Sequence, residues 1–325
     1  LMARQQGWFA LILALAISAG FVCVNTPLNL GLDLRGGSQL TLEVQPTEEI
    51  TRITPEHLEA EKEVLDRRVN ALGVAESTLQ TIGDDQLVLQ LPGVDNPTDA
   101  ADVLGDTALL EFRVQKPGTE QELRELQNFR GEFENMLKGD DGVGEIDSPI
   151  LDESDREKIA TAQKLLGLQV VVGSDEFMQI EQLVAEWEIK IAKLFDPTDL
   201  TGKYLDRAGS NPEQNFSDGW EVTLTFDREG AYKFADLTKS IAGTSRRLGI
   251  VLDGRSLSEA KVGSEFEAAG ITGGAARITG GFKAKEAKKL EVQLRGGSLP
   301  FPLEIIQQRS FGPTLGAENI RRSLI

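Results

Sequence analysis

Seventeen residues, Trp8–Val24, run without a charge before the chain changes character. That length is at the short end for a helix crossing a bilayer, and Gly7 with Asn25–Leu28 extends it towards both interfaces. Beyond it the period of the pattern shortens. In Gln39–Val44, Leu40, Leu42 and Val44 alternate with Thr41 and Glu43, as in a half-buried strand. Thr54-Pro55 opens a helix with an N-cap and a proline at the first helical position. Its apolar stripe is Leu58, Val64, Leu65, Val69 and Leu72, and Gly73 ends it. Thr78–Ile82 and Gln86–Leu91 read as a hairpin around Gly83-Asp84-Asp85, with Leu87, Leu89 and Leu91 inward. A short helix over Thr98–Leu104 and a strand over Ala108–Val114 complete the order βαββαβ, a ferredoxin-like split unit.

Residues 115–219 break this rhythm. Three helical patterns fall near Thr119–Lys138, Asp152–Leu166 and Asp175–Leu194, joined by connections such as Gly139-Asp140-Asp141-Gly142. The third carries Phe177, Ile180, Val184, Trp187, Ile191 and Leu194 at helical spacing behind the cap Ser174, a core stripe rather than a cofactor site. Strands resume at Trp220–Phe226, followed by a helix over Glu229–Ile241, a hairpin of Arg247–Leu252 and Arg255–Val262 about Asp253-Gly254, a strand Ala275–Ile278, a helix Lys283–Leu294 and a strand Pro302–Gln308. The fold class expected is α+β: a ferredoxin-like base and a second α/β head region with an acidic helical insertion. Leu294-Arg295-Gly296-Gly297 echoes Leu34–Gly37, but reads as a helix end capped by glycines.

Charge locates the insertion more sharply. The chain of 325 residues carries a net −18, and residues 115–219 alone contribute −12 against +4 for 220–325. Such a surface does not bind nucleic acid, which needs a basic face. Cys23, the one cysteine, lies in the apolar run, so the rest of the chain has no disulfide and no catalytic thiol. His57 is the one histidine, which rules out a histidine metal cluster or a conventional triad; in the first turn of its helix it reads as an exposed surface residue. Gly142-Val143-Gly144 lacks a third glycine, and no Walker lysine motif exists. The expectation is a protein that is not an enzyme and takes no cofactor or metal. The apolar run continues past Ala19-Gly20 through Phe21, Val22 and Val24, which favours a retained anchor over a cleaved signal, and Arg4 favours a cytoplasmic N-terminus.

Between anchor and first strand lies Gly31-Leu32-Asp33-Leu34-Arg35-Gly36-Gly37, whose glycines permit positive φ or close backbone approach. Asp33, Leu34, Arg35, Gly36 and Gly37, placed just after a first membrane span, resemble the signature of the SecD family of bacterial export subunits. Other stretches are similar to that family too: Arg68–Val74; Gln90–Gly93 with Pro92 and Gly93; Val251–Gly254 with Asp253 and Gly254; Ile278–Gly280; and Leu294–Pro300 with Arg295, Gly296 and Gly297. Gly312, Pro313 and Gly316 resemble the family's approach to its second membrane helix, where the chain is expected to be cut from a longer protein. The resemblance implies a membrane-embedded subunit of the bacterial inner membrane that assists proton-motive-force-driven export beside SecYEG, with SecF and YajC as partners and an emerging unfolded secretory polypeptide as cargo. It implies a cytoplasmic N-terminus (1–6), a transmembrane helix (7–28), the joint (29–37), a periplasmic base (38–114), a head (115–281, with the insertion 115–219), a return to the base (282–311) and the approach to a second span (312–325). Hinges are expected near Lys116-Pro117-Gly118 and from Gly273-Gly274 to Gly280-Gly281. A membrane-tethered periplasmic binding module of an efflux transporter of the RND superfamily is the alternative.

Overall fold

The computed structural model describes residues 36–47, 50–74, 77–94, 96–137, 153–166, 176–213 and 219–312. The apolar run Trp8–Val24, Asp33–Arg35, Pro313 and Gly316 lie outside them. Among the described residues no helix is long and apolar enough to cross a membrane.

The described residues fold as a mixed α/β protein with three sheets. The first holds β1 (Gly37–Val44), β2 (Thr78–Ile82) and β3 (Gln86–Pro92), with α1 (Pro55–Ala71) and α2 (Pro97–Gly105) between strands. Its alternation is as expected: Leu40, Leu42, Leu87, Leu89 and Leu91 are fully buried against Leu58, Leu65, Val69 and Leu104. Burying each leucine contributes about 1.5–3 kcal/mol, so this set is the first body's main source of cohesion. Helix α1 starts where the sequence says it should, on Thr54. There the Thr54 hydroxyl accepts from the His57 amide, and the His57 ring nitrogen accepts from the Thr54 amide. His57 is therefore a half-buried capping residue, its ring 4.8 Å from that of Phe301, not the exposed surface residue expected.

One expected strand goes elsewhere. The sixth element of the βαββαβ order, β4 (Leu110–Gln115), does not join the first sheet. That sheet has the order β11-β1-β3-β2, and its fourth place is filled by β11 (Leu303–Phe311), antiparallel to β1 from Gly37↔Phe311 to Val44↔Leu303. With the slot beside β1 occupied, β4 pairs with β5 (Phe195–Thr201) and β8 (Arg247–Leu252), in a sheet of order β5-β4-β8-β9 that ends on β9 (Arg255–Lys261). Leu110, Phe112 and Val114 bury there with Phe226 and Phe234. The third sheet, β10-β7-β6, comprises β6 (Leu205–Pro212), β7 (Trp220–Phe226) and β10 (Ala275–Phe282). It shares that core, as do α6 (Arg228–Ile241) and α7 (Ala284–Gly296).

Within 115–219 the three helices fall close to their expected limits: α3 (Glu120–Leu137), α4 (Glu153–Leu166) and α5 (Glu176–Lys193). They form an arm with its own small core of Phe133, Ile159, Ala162, Ile180, Leu183 and Trp187. The segment is not purely helical, because β5 and β6 belong to it and complete the sheets of the second body.

Candidate functional site

Two stretches of backbone cross between the bodies: 106–109 outward and 297–299 back. They lie side by side, for the Leu299 amide donates to the Thr107 carbonyl at 2.8 Å. One side chain holds both. Arg68, on α1 and fully buried, donates through one terminal nitrogen to the carbonyls of Leu104 and Asp106, and through the other to those of Thr107 and Gly297. The planar fork of an arginine suits this, since its donors diverge in fixed directions. Burial lowers the guanidinium to a pKa of about 10, which leaves it charged at neutral pH. Its neighbour Arg67 donates to the Gly296 carbonyl at 3.0 Å.

The close fit explains Gly296, because a Cβ there would overlap the Arg68 side chain. From the second body, the Asp253 carboxylate accepts the amides of Ala108 and Leu109 at 3.0 and 2.9 Å, and the Asp253 amide donates to the Leu109 carbonyl. Ala108 turns the chain with φ 56°, a conformation unusual outside glycine. Gln293 and Lys289 of α7 reach Asp106 at 2.8 and 2.9 Å. The joint is thus a cluster of backbone carbonyls and amides read by Arg68 from one side and Asp253 from the other.

The sequence-singled residues gather in two places. Asp253, Gly254, Arg295, Gly296 and Gly297 belong to the joint or flank it; Arg295 pairs with Glu291 at 3.2 Å. Gly36, Gly37, Pro92, Gly93 and Gly312 form a second cluster at one end of the first sheet. There Gly37 is registered against Pro92 on one side and Phe311 on the other, and the Gly93 amide donates to the Gly36 carbonyl at 2.9 Å. Gly36 and Gly37 are buried with φ 75° and 143°, so two positive-φ residues sit where the strand enters the sheet. Ser38 ties this end further, its hydroxyl donating to the Val94 carbonyl at 2.5 Å. The expected hinge at Lys116–Gly118 lies inside the second body, where the Lys116 amide donates to the Leu194 carbonyl and its ammonium to the Lys193 carbonyl. Gly273-Gly274 likewise precedes β10 within that body. The crossings are at 106–109 and 297–299 instead.

Pattern reading missed Arg68 as a site and missed Glu61 altogether. Both lie on the apolar seam of α1, where 58, 61, 65, 68 and 72 share a face at helical spacing. A charged residue on such a seam was the available signal. Glu61 is fully buried and accepts the Phe301 amide at 3.3 Å, while its other oxygen has no partner among the described residues. Burial raises its pKa to about 7. Among the described residues no group of three or more His, Cys, Asp or Glu side chains could hold a metal ion.

Against known proteins, three family models match in chain order: "SecD/SecF GG Motif" over residues 21–48, "Protein translocase subunit SecDF, P1 domain, N-terminal" over 58–117, and "SecDF, P1 head subdomain" over 182–301. The chain is 54% identical over its whole length to the protein translocase subunit SecD of Prochlorococcus marinus and 46% identical to that of Synechocystis sp.. It spans 65% and 63% of the length of these two relatives. A solved structure described as "Structure and function of a membrane component SecDF that enhances protein export" superposes with a TM-score of 0.54 at 30% identity, covering 83% of this chain and 99% of that one.

Proposed function

Because the chain belongs to the SecD family of protein translocase subunits, we propose that it forms the external domain and first anchor of an auxiliary Sec subunit that aids export of polypeptides across the bacterial inner membrane. In this reading the N-terminus is cytoplasmic, Trp8–Val24 spans the bilayer, and the two bodies stand on the periplasmic side. The partners would be SecF, SecYEG and YajC, and the cargo an unfolded secretory chain. The part played is mechanical rather than catalytic. The efflux alternative has no observation in its favour.

The first body is read as a ferredoxin-like base running from Gly37 to Asp106 and completed by β11. The strand order β11-β1-β3-β2 supports that reading, with the fourth strand delivered after the whole second body. The head is then 110–296, including the acidic arm. The observation that carries the proposal is the joint itself: two adjacent crossings, with both bodies gripping the same few peptide groups. Such a construction lets one body turn on the other while both stay folded. Motif positions Gly36, Gly37, Pro92, Gly93 and Gly312 would make the footing through which membrane segments connect to the base.

The experiment is photo-crosslinking from exposed head positions Tyr232 and Met178 to a secretory precursor stalled in the translocon, in membrane vesicles. Crosslinks to the precursor from the head, and none from Ile82 on the base, are expected. Equal yields from all three sites would sink the division into base and head.

A further inference from the structure

Two buried atoms at the joint lack partners among the described residues, and they are complementary: one carboxylate oxygen of Glu61 and the Nε–H of Arg68. They lie on one face of α1 two turns apart, about 10.5 Å along the axis. Helical side chains lean towards the N-terminus, so Arg68 leans towards Glu61. The two residues are also within electrostatic reach of each other. The terminal nitrogens of Arg68, however, are spent on four carbonyls, and among the described residues Glu61 has a single donor, the Phe301 amide. A fully buried carboxylate with one donor is poorly solvated, and a proton on it removes that cost.

We propose that Glu61 is a proton-operated release for the Arg68 clamp. With Glu61 protonated, the guanidinium stays on the carbonyls of Leu104, Asp106, Thr107 and Gly297 and both crossings are held. With Glu61 ionised, the carboxylate competes for the guanidinium, and the hold on the crossings weakens. The other charged groups at the site favour this division of roles. Asp106, tied to Lys289 and Gln293 of α7, and Asp253 of the β8–β9 turn act on Arg68, not on Glu61. His57 of α1 meets the ring of Phe301, and the strands present leucines. Glu63 and Arg67 pair on the outer face of α1. Arg68 remains charged throughout the neutral range, so the proton that matters is on Glu61. The inference concerns the joint alone and stands whether or not the export reading does.

Amide hydrogen exchange of the full chain, read by mass spectrometry at pH 6 and pH 8 and corrected for the intrinsic pH dependence, tests it. Glu61 titrates near pH 7 when buried and near 4.5 when freed. Linkage then gives about a tenfold loss of protection over 104–109 and 297–301 between these pH values. In a Glu188→Gln background, which removes the arm's own titrating carboxyl, peptides from β7 should not change. Glu61→Gln and Glu61→Leu should each abolish the pH dependence at the crossings, while Glu188→Gln, which removes a titrating carboxyl in the arm, should preserve it. The proposal is overturned if the wild-type crossings show no pH dependence, if either Glu61 variant retains it, or if protection falls equally in β7 once Glu188 is replaced by Gln.

Discussion

Replacing Arg68 by methionine keeps an unbranched stem beside Gly296 and deletes the fork that holds the crossings. Four hydrogen bonds from a charged donor disappear. At about 1.5–3 kcal/mol each they amount to roughly 6–12 kcal/mol before offsets. Methionine also relieves the burial of a charge. Burial has pushed the guanidinium well below its ordinary value, to about 10, which corresponds to about 3 kcal/mol at 1.36 kcal/mol per unit. The stranded carbonyls recover part of the rest by admitting water. A net loss of about 3–5 kcal/mol follows, as for breaking a buried charged contact. It should appear as lost cooperation between the bodies. In a Trp8→Phe background the remaining tryptophans are Trp187 in the arm and Trp220 in β7, so fluorescence reports the second body, whereas circular dichroism reports both. Urea unfolding of the parent should give coincident transitions by the two probes. In Arg68→Met the dichroic transition should begin at lower urea while the fluorescence midpoint moves little. Coincident transitions displaced by less than about 1 kcal/mol would refute the idea that Arg68 couples the two bodies.

Three further outcomes follow from named contacts. Burial raises the pKa of Glu188, which sits near Arg130 and Arg255, to about 7; its contribution is therefore full below about pH 4.5 and lost as pH rises through 7, and Glu188→Gln should flatten the dependence of the Trp187 unfolding midpoint between pH 5 and 8. Arg130→Ala should loosen the arm from β9 by about 1.5–3 kcal/mol, because it removes the charged donor that reaches the Glu259 carboxylate at 2.9 and 3.1 Å and leaves that carboxylate with the neutral donors Gln127 and Ser256, and protease nicking of α3 and α5 should rise accordingly. Gly36→Val places a β-branched residue at φ 75° in a buried position and Arg35→Ala changes the adjoining residue of the same sequence motif, so each is expected to impair export of a precursor into vesicles energised by a proton gradient; normal export by both would remove any special role for that stretch.

Much of the local structure was legible because it is written in nearest-neighbour chemistry. Thr54-Pro55 caps α1, Gly83-Asp84-Asp85 turns the β2–β3 hairpin, and the three arm helices start and stop within a residue or two of their patterns. Strands β5 and β6 were not legible. Phe195–Thr201 and Leu205–Pro212 are polar, contain Pro197 and Pro212, and owe their ladders to β4 and β7 rather than to their own propensity. Nor could alternation say which sheet β4 would join. Leu110, Phe112 and Val114 suit either core, and only the arrival of β11 from the far end of the chain decides the matter. At the joint the glycines of 296–297 were visible as a helix end, but their reason, the Arg68 side chain lying against them, is a contact between distant parts of the chain.

The late arrival of β11 also fixes an order of events during synthesis. Strand β1 leaves the ribosome early, yet its partner spans Leu303–Phe311, so the first sheet cannot close until nearly the whole described chain has been made. The second body contains β4 through α7 between those two strands and has its partners in hand sooner. The first body, although first in sequence, is therefore last to finish. In the interval β1 presents an unpaired edge carrying Leu40, Leu42 and Val44, the kind of edge that recruits foreign strands. A nascent chain interrupted before Leu303 would keep that edge open, and it is there, rather than in the acidic arm, that aggregation of an unfinished product should start.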